Sequence, residues 1–208
     1  MFAAYRVRTT LRREVSLLRR SVLAAALIAL TAAPALAAEY AVDANHTQAA
    51  FTVTHLAISR VSGRVPVAGG TVVLGSTDVP TAVSIVLSAK DIDTNSADRD
   101  RELRGPDWFE TDKFPTMTFV AKSIAGSPQA FTVTGDLTMH GVTKPITLEA
   151  KYLGKLTDAR GRTHLGYTAS GTLDRRAWGL NWGGTTPGGS LVAGNDVTLD
   201  LNLEIVSK

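Results

Sequence analysis

The feature that most constrains the fold is a repeated alternation of apolar and polar residues along the chain. Between residues 131 and 139, Phe131, Val133, Leu137 and Met139 alternate with threonines and Asp136. Successive side chains of a β-strand point to opposite faces, so a period of two is typical of a strand with one buried face. The segment 197–205 shows the same pattern most clearly, with five apolar residues separated by polar ones.

About eight segments of this kind follow residue 38, and short turns containing glycine or proline join several of them. Short connections favour antiparallel pairing between neighbours in the chain. The predicted fold class is therefore all-β: an eight-stranded antiparallel, lipocalin-like barrel with one short helix. The helix is predicted at residues 96–103, with Ser96 as N-cap and Gly105-Pro106 as its end. Trp108 and Phe109 would then anchor this helix over one end of the barrel.

Residues 1–38 have the layout of a secretory signal peptide. Six arginines precede an apolar run at residues 21–30, and Ala35-Leu36-Ala37 offers a small-residue cleavage pattern. The run is too short to span a bilayer. Residues 39–208 are therefore predicted to form one periplasmic barrel domain, and the choice between the general and the twin-arginine export route stays open.

The basic isoelectric point of about 9.3 is a property of this leader. Without it, 16 basic and 18 acidic residues remain, a net charge of −2. A nucleic-acid partner is not expected, because such binding needs a strongly positive surface. The chain contains no cysteine, so a core must stabilise it, and no later apolar run approaches the length of a transmembrane segment.

The size of the inward-facing residues decides whether such a barrel is hollow. Ala121, Gly135, Ala169 and Gly171 share faces with large apolar residues. An eight-stranded barrel can be filled by its side chains or can hold one slender ligand. The small residues either leave room for a ligand or relieve crowding in a filled core, and the pattern leaves both readings open.

No sequence motif predicts catalysis. We find no nucleophile elbow, no phosphate-binding loop and no compact set of metal ligands, so neither a catalytic nor a metal site is predicted and the chain is not expected to be an enzyme. One alternative stays open: His46 and His55, joined by a carboxylate such as Asp43, would give a metal-assisted enzyme acting on a hydrophobic substrate.

Several motifs together resemble the YceI-like family of periplasmic polyisoprenoid-binding proteins, from about Tyr40 to Ile205. The most specific piece is residues 135–145, Gly-Asp-Leu-Thr-Met-His-Gly-Val-Thr-Lys-Pro; others are the opening stretch from Tyr40 to His55 and Asp107-Trp108-Phe109. Thr47 stands where serine is usual, and Ala177 replaces a commonly acidic residue. The resemblance implies a barrel whose elongated cavity holds an isoprenoid lipid or isoprenoid quinone.

The implied function is that of a periplasmic binding or carrier protein, with the isoprenoid lipid as its partner and no other cofactor. An envelope-stress or partner-binding protein with a filled barrel is the alternative, and a homodimer is left open. The family offers no catalytic residues to transfer, so binding residues are assigned by strand face. The predicted lining is Phe51, Val53, Phe119, Val133, Leu137, Met139 and Leu201, with Phe109, Phe114 and Trp178 near a mouth and His55 or Arg175 meeting a polar head group.

Overall fold

The computed structural model describes residues 37–208, and the predicted signal peptide, residues 1–38, falls almost entirely outside this range. In these residues there is one α-helix, α1, at Ala97–Arg104, and two short 3-10 turns at Ala89–Asp91 and Arg175–Trp178. Ten strands make up the rest of the regular structure in the same residues: β1 (Ala38–Val42), β2 (Gln48–His55), β3 (Ser59–Arg64), β4 (Val67–Leu74), β5 (Pro80–Ser88), β6 (Thr116–Ser127), β7 (Ala130–Met139), β8 (Val142–Thr157), β9 (Thr163–Asp174) and β10 (Ala193–Ser207).

The sheet closes on itself because β1 pairs with both β4 and β10. Across residues 37–208 the closed ring runs β1-β4-β5-β6-β7-β8-β9-β10, and every neighbouring pair is antiparallel. The other two strands continue members of this ring: β2 extends β1 after residues 43–47, and β3 leads into β4 through residues 65–66. The prediction of an eight-stranded antiparallel barrel with one short helix is confirmed.

The break at residues 43–47, between β1 and β2, separates two ends of the barrel. The long strand β10 pairs with β2 from Ala193 to Asn202 and with β1 from Ile205 onward. One edge of β3 pairs with β2, and among residues 37–208 the other edge forms only an isolated bridge between Arg64 and Asp93. The segment that follows Asp93 leads into α1, so this side of the barrel is completed by the helix rather than by a paired strand.

The start of α1 is stabilised differently from the prediction. Ser96 occupies the N-cap position, but its side chain makes no capping hydrogen bond. The buried carboxylate of Asp100 instead accepts hydrogen bonds from the backbone N–H of Thr94 at 2.8 Å and from its hydroxyl at 2.6 Å. Arg99 donates to the same threonine through its Nε at 2.8 Å. These contacts fix the helix to the segment that leads into it from Asp93.

A tightly packed part of the core lies where β1 closes the ring. Val72 and Ile205 are 0% exposed, and Leu165 is 2% exposed. Within residues 37–208, no helix has the length and apolar character needed to cross a membrane.

Candidate ligand-binding cavity

An elongated cavity of about 360 Å³ occupies the interior between β2, β10 and α1. Its walls include Thr47 at one end of β2 and His55 at the other. At about 3.3 Å per residue, this stretch of chain spans about 26 Å. The volume lies within the range of about 300–1,000 Å³ typical of small-molecule sites.

The cavity wall is almost entirely apolar. Side chains from nine strands, β2 to β10, contribute to it, and α1 with the residues that follow it closes one side through Leu103, Trp108 and Phe109. Strand β10 supplies Val197, Leu199, Leu201 and Leu203, the inward half of its alternating pattern. These leucines are only half-buried because they border empty space rather than other side chains. The interior between them is therefore not filled by protein.

The structure brings most of the predicted binding residues to this one surface. Cavity-lining residues among them are Phe51, Val53, His55, Phe109, Phe119, Val133, Leu137, Met139, Arg175 and Leu201. Their part in binding stays a prediction.

Phe114 and Trp178 lie outside the cavity wall, unlike the other predicted residues. The ring of Phe114 packs edge-on against His140, with 5.2 Å between ring centres. Trp178 is 2% exposed, and its Nε1 donates a hydrogen bond to the carbonyl of Leu137 at 3.0 Å. Phe114 therefore packs beside His140, and Trp178 links the second 3-10 turn to the end of β7. Sequence alone could not separate these wall-packing aromatics from cavity-lining ones, because both are apolar and near loops.

The small residues of the barrel do not all create space. A Cβ atom on Gly135 would lie 2.6 Å from Cζ of Phe119, and one on Gly171 would lie 2.8 Å from Cδ2 of Leu148. At these two positions a neighbouring ring or leucine already occupies the room that glycine leaves. Ala169, by contrast, borders the cavity.

Arg175 was predicted as a candidate for meeting a polar head group, but its guanidinium is already engaged. The side chain is buried, and Nε donates to the carbonyl of Gly194 at 2.9 Å, Nη1 to those of Leu180 and Trp182, and Nη2 to that of Ala193 at 3.1 Å. Nη2 also lies 3.5 Å from Oδ1 of Asn195. Burial lowers the pKa of Arg175 from its ordinary value. The residue holds the loop 180–194 to the barrel, and its N–H groups are largely unavailable to a ligand.

His55 is the more available polar group on the cavity wall. It ends β2, is half-buried, and its imidazole makes no hydrogen bond with any residue in the range 37–208 that the structure describes. A free imidazole can donate one hydrogen bond and accept another.

A cluster of ionisable side chains lies at the opposite end of β2. His46 Nδ1 is 2.9 Å from Oδ2 of Asp43, and this hydrogen bond raises the pKa of His46 and lowers the pKa of Asp43. His164 Nδ1 is 2.8 Å from Oε1 of Glu204 and its Nε2 is 3.2 Å from Oδ2 of Asp158. Hydrogen bonds to Glu204 and then to Asp158 raise the pKa of His164.

This arrangement is inconsistent with one alternative from the sequence. His55 ends β2 and His46 lies in the turn before it, so the eight-residue strand, about 23 Å from end to end, separates them and they cannot bind the same metal ion. The residues that do come together are Asp43, His46 and Glu204, whose ligand atoms lie within 4.8 Å of one another. Glu204 could not be found from sequence spacing, because 157 residues separate it from Thr47, to which it is hydrogen-bonded.

A closed eight-stranded barrel around an apolar interior cavity defines a class of small β-barrel binding domains, and comparison with known proteins identifies the family. The model of the YceI-like domain matches residues 40–205. Protein YceI of Shigella flexneri is 36% identical over 152 residues, which cover 71% of this chain and 79% of that protein. The chain belongs to the YceI-like family, as the motifs of the sequence indicated.

Solved structures show the same fold. The Campylobacter jejuni YceI protein superposes with a TM-score of 0.64 at 24% identity, covering 74% of this chain and 90% of its own. A polyisoprenoid-binding domain from Saccharophagus degradans has a TM-score of 0.60 at 18% identity, covering 81% of this chain and 98% of its own. At these identities the similarity establishes the architecture.

Proposed function

We propose that this protein binds an isoprenoid lipid or isoprenoid quinone in its barrel and carries or sequesters it in the periplasm. The observation that carries the proposal is the unfilled apolar cavity, which runs beside β2 and is enclosed by β10 and α1. A hydrocarbon chain would replace empty space there against a wall that is almost entirely apolar. The polyisoprenoid-binding domain that shares this fold supports the same ligand class.

The expected affinity follows from apolar burial. Burying a CH₂ group stabilises by about 0.8 kcal/mol, so a five-carbon isoprene unit contributes at most about 3–4 kcal/mol. Three units give on the order of 10 kcal/mol before association costs of several kcal/mol. Micromolar binding needs about 8 kcal/mol net, so a chain of four or more units is favoured over a shorter one.

We assign the polar head of the ligand to the end of the cavity at His55. Its imidazole has no hydrogen-bond partner among the described residues, whereas Arg175 is saturated by backbone carbonyls. A carbonyl or hydroxyl oxygen of the ligand can accept a hydrogen bond from an imidazole N–H. Substituting His55→Phe should preserve hydrocarbon binding and lower affinity for a quinone by about tenfold, the effect of one lost hydrogen bond of about 1–1.5 kcal/mol.

The filled-barrel alternative loses its premise, because the described interior holds a cavity. It required an interior packed with side chains, and the leucines of β10 border empty space instead. No arrangement of residues in the described part of the chain favours a catalytic function over binding, and the proposal is therefore one of binding.

The decisive experiment is to purify the protein without detergent and identify lipids in an organic extract by mass spectrometry. We expect a co-purifying isoprenoid, and saturable binding of an added long-chain isoprenoid quinone. Neither a co-purifying lipid nor binding of the added quinone would overturn the proposal.

A matched pair of variants tests the site itself. Leu199→Asp places a charge inside the cavity, and Thr172→Asp places the same charge on the outer face of neighbouring β9. Burying an unpaired carboxylate beside a hydrocarbon is strongly unfavourable. We expect the first variant to lose quinone binding and the second to retain it, with circular dichroism confirming that both are folded. Equal binding by both folded variants would place the ligand elsewhere.

A further inference from the structure

Asp43, His46 and Glu204 form a cluster near the start of β2, and its composition is that of a metal site. Asp43 and His46 lie in the turn that interrupts the first strand, and Glu204 lies on β10 where that strand changes its partner from β2 to β1. The donor atoms of one imidazole and two carboxylates all lie within 4.8 Å of one another. These residues lie outside the cavity wall and have no part in the proposed lipid binding.

The backbone holds the turn and β10 together at this point. The N–H of Asp43 donates to the carbonyl of Glu204 at 2.9 Å. The hydroxyl of Thr47 donates to the same carbonyl at 3.2 Å and accepts from the N–H of Glu204 at 3.0 Å. The two carboxylates therefore stand on rigid, mutually bonded elements, as a preorganised ligand set requires.

In each carboxylate one oxygen is held by the protein, and the second oxygen of Asp43, Oδ2, lies 2.9 Å from His46 Nδ1, so a metal ion would replace the proton shared by these two atoms. Oδ1 of Asp43 accepts from the N–H groups of Asn45 and His46 at 3.0 and 3.3 Å, and Oε1 of Glu204 accepts from His164 at 2.8 Å. Outer partners of this kind orient metal-binding carboxylates. The His46 side chain is 65% exposed, so water can reach the site and complete the coordination.

We propose that Asp43, His46 and Glu204 bind one divalent transition-metal ion of the zinc type. Zinc takes imidazole nitrogen and carboxylate oxygen at about 2.0–2.2 Å, and three protein ligands plus water form its usual open site. Such bond lengths place tetrahedral ligand atoms about 3.4 Å apart, so small rotations of the side chains bring this set into position. Calcium and magnesium prefer oxygen ligands alone and are disfavoured by the imidazole.

The ion would connect the interrupted first strand to the last strand of the barrel. A ligand that binds only the folded state raises the unfolding temperature. Bound zinc is therefore expected to stabilise the closure of the barrel whether or not a lipid occupies the cavity.

The test is a titration of the metal-free mature chain, purified without a histidine tag, with zinc chloride against a chromophoric chelator. We expect one saturable site, and a rise of a few degrees in unfolding temperature at excess zinc. His46→Ala should weaken zinc binding by at least tenfold, and His46→Gln serves the same purpose if the alanine variant does not fold. His55→Ala is the histidine-matched control and should bind zinc like the wild type.

Three outcomes would overturn the proposal. They are the absence of a stoichiometric zinc site, zinc binding that survives loss of the His46 imidazole, and calcium chloride competing with zinc at equal concentration.

Discussion

Two parts of one strand show how differently the same pattern can be used. Leu199, Leu201 and Ile205 lie on the inward face of β10 and continue one alternation. Ile205 is 0% exposed among neighbouring strands, whereas the two leucines are half-buried and border the cavity. The alternation of residues thus determines which side chains point inward, and the pairing of the strands determines whether the interior is filled.

The difference arises from the partners of β10. At Ile205 the strand pairs with Val42 of β1 and with Leu165 of β9, and the ring of strands is closed tightly. At Leu199 it pairs with Phe51 of β2 instead. Because β3 pairs only with β2, the wall beyond it is completed by α1 and the aromatic residues after the helix. A helix that completes a wall leaves space that a paired strand would close.

The largest expected effect comes from truncating a side chain at the filled end of the barrel, where β1 pairs with β10. Ile205→Ala should lower the free energy of unfolding by about 2–5 kcal/mol, because it removes buried methyl groups and leaves a void. Leu201→Ala at the cavity should cost about 1 kcal/mol or less, because the leucine already borders empty space. Urea denaturation of both variants measures the difference. Equal losses would show that the two ends are packed alike.

Adding volume should reverse the comparison. Val72→Phe overfills the packed end and is expected to cost about 1–3 kcal/mol. Ala169→Phe inserts a ring into the cavity, where it should leave stability unchanged or increased and should abolish quinone binding. Thermal unfolding and a binding titration measure the two outcomes. Comparable destabilisation by both substitutions would contradict an open interior at Ala169.

The fold was largely predictable because strand alternation and short turns are local signals. The eight strands, their antiparallel order and the helix near Ser96 follow from patterns within about ten residues. The continuation of β1 into β2 was not visible, since residues 43–47 read as a turn in either case. The hollow interior also depends on that interruption, so the pattern left both filled and open barrels possible until the structure showed the cavity.

The candidate site was predictable where a residue faces inward on a long strand, as for Val133 and Leu137. It was not predictable for Phe114 and Trp178, whose rings pack against other protein groups and do not line the cavity. Nor was it predictable for Arg175, whose backbone partners lie up to 19 residues away. Local apolar character identifies burial, but it does not say whether protein or ligand covers the side chain.

A smaller effect is expected from the glycines of the wall. Gly135→Ala would place a Cβ 2.6 Å from the backbone oxygen of Val120 and the same distance from Phe119, so we expect a loss of about 1 kcal/mol. Gly184→Ala has no atom within 4 Å of the added Cβ and should change stability by less than about 0.5 kcal/mol. Chemical denaturation distinguishes them. A neutral Gly135→Ala would mean that the Phe119 ring has room to move into the cavity.

The smallest effect concerns the charge network at the filled end, where His164 lies between Glu204 and Asp158. Hydrogen bonds to these carboxylates raise the pKa of His164 in the folded state above its ordinary value of about 6.5. The stabilisation that protonated His164 gives the folded state is therefore complete below about pH 6.5, and it is lost as the pH rises through the folded-state pKa of His164. The pKa of Asp158 is lowered, chiefly by the N–H of Arg162, so its contribution is lost only in strong acid.

We therefore expect wild type to exceed His164→Ala in unfolding temperature by more at pH 6 than at pH 9, as measured by differential scanning calorimetry. A difference that grows on raising the pH would contradict the assigned charge state of the imidazolium. Because the side chains of this network do not line the cavity, quinone affinity should stay the same at both pH values. A parallel fall in affinity would show that closure at Ile205 and the open interior at Leu199 are coupled through β10, rather than being independent ends of one strand.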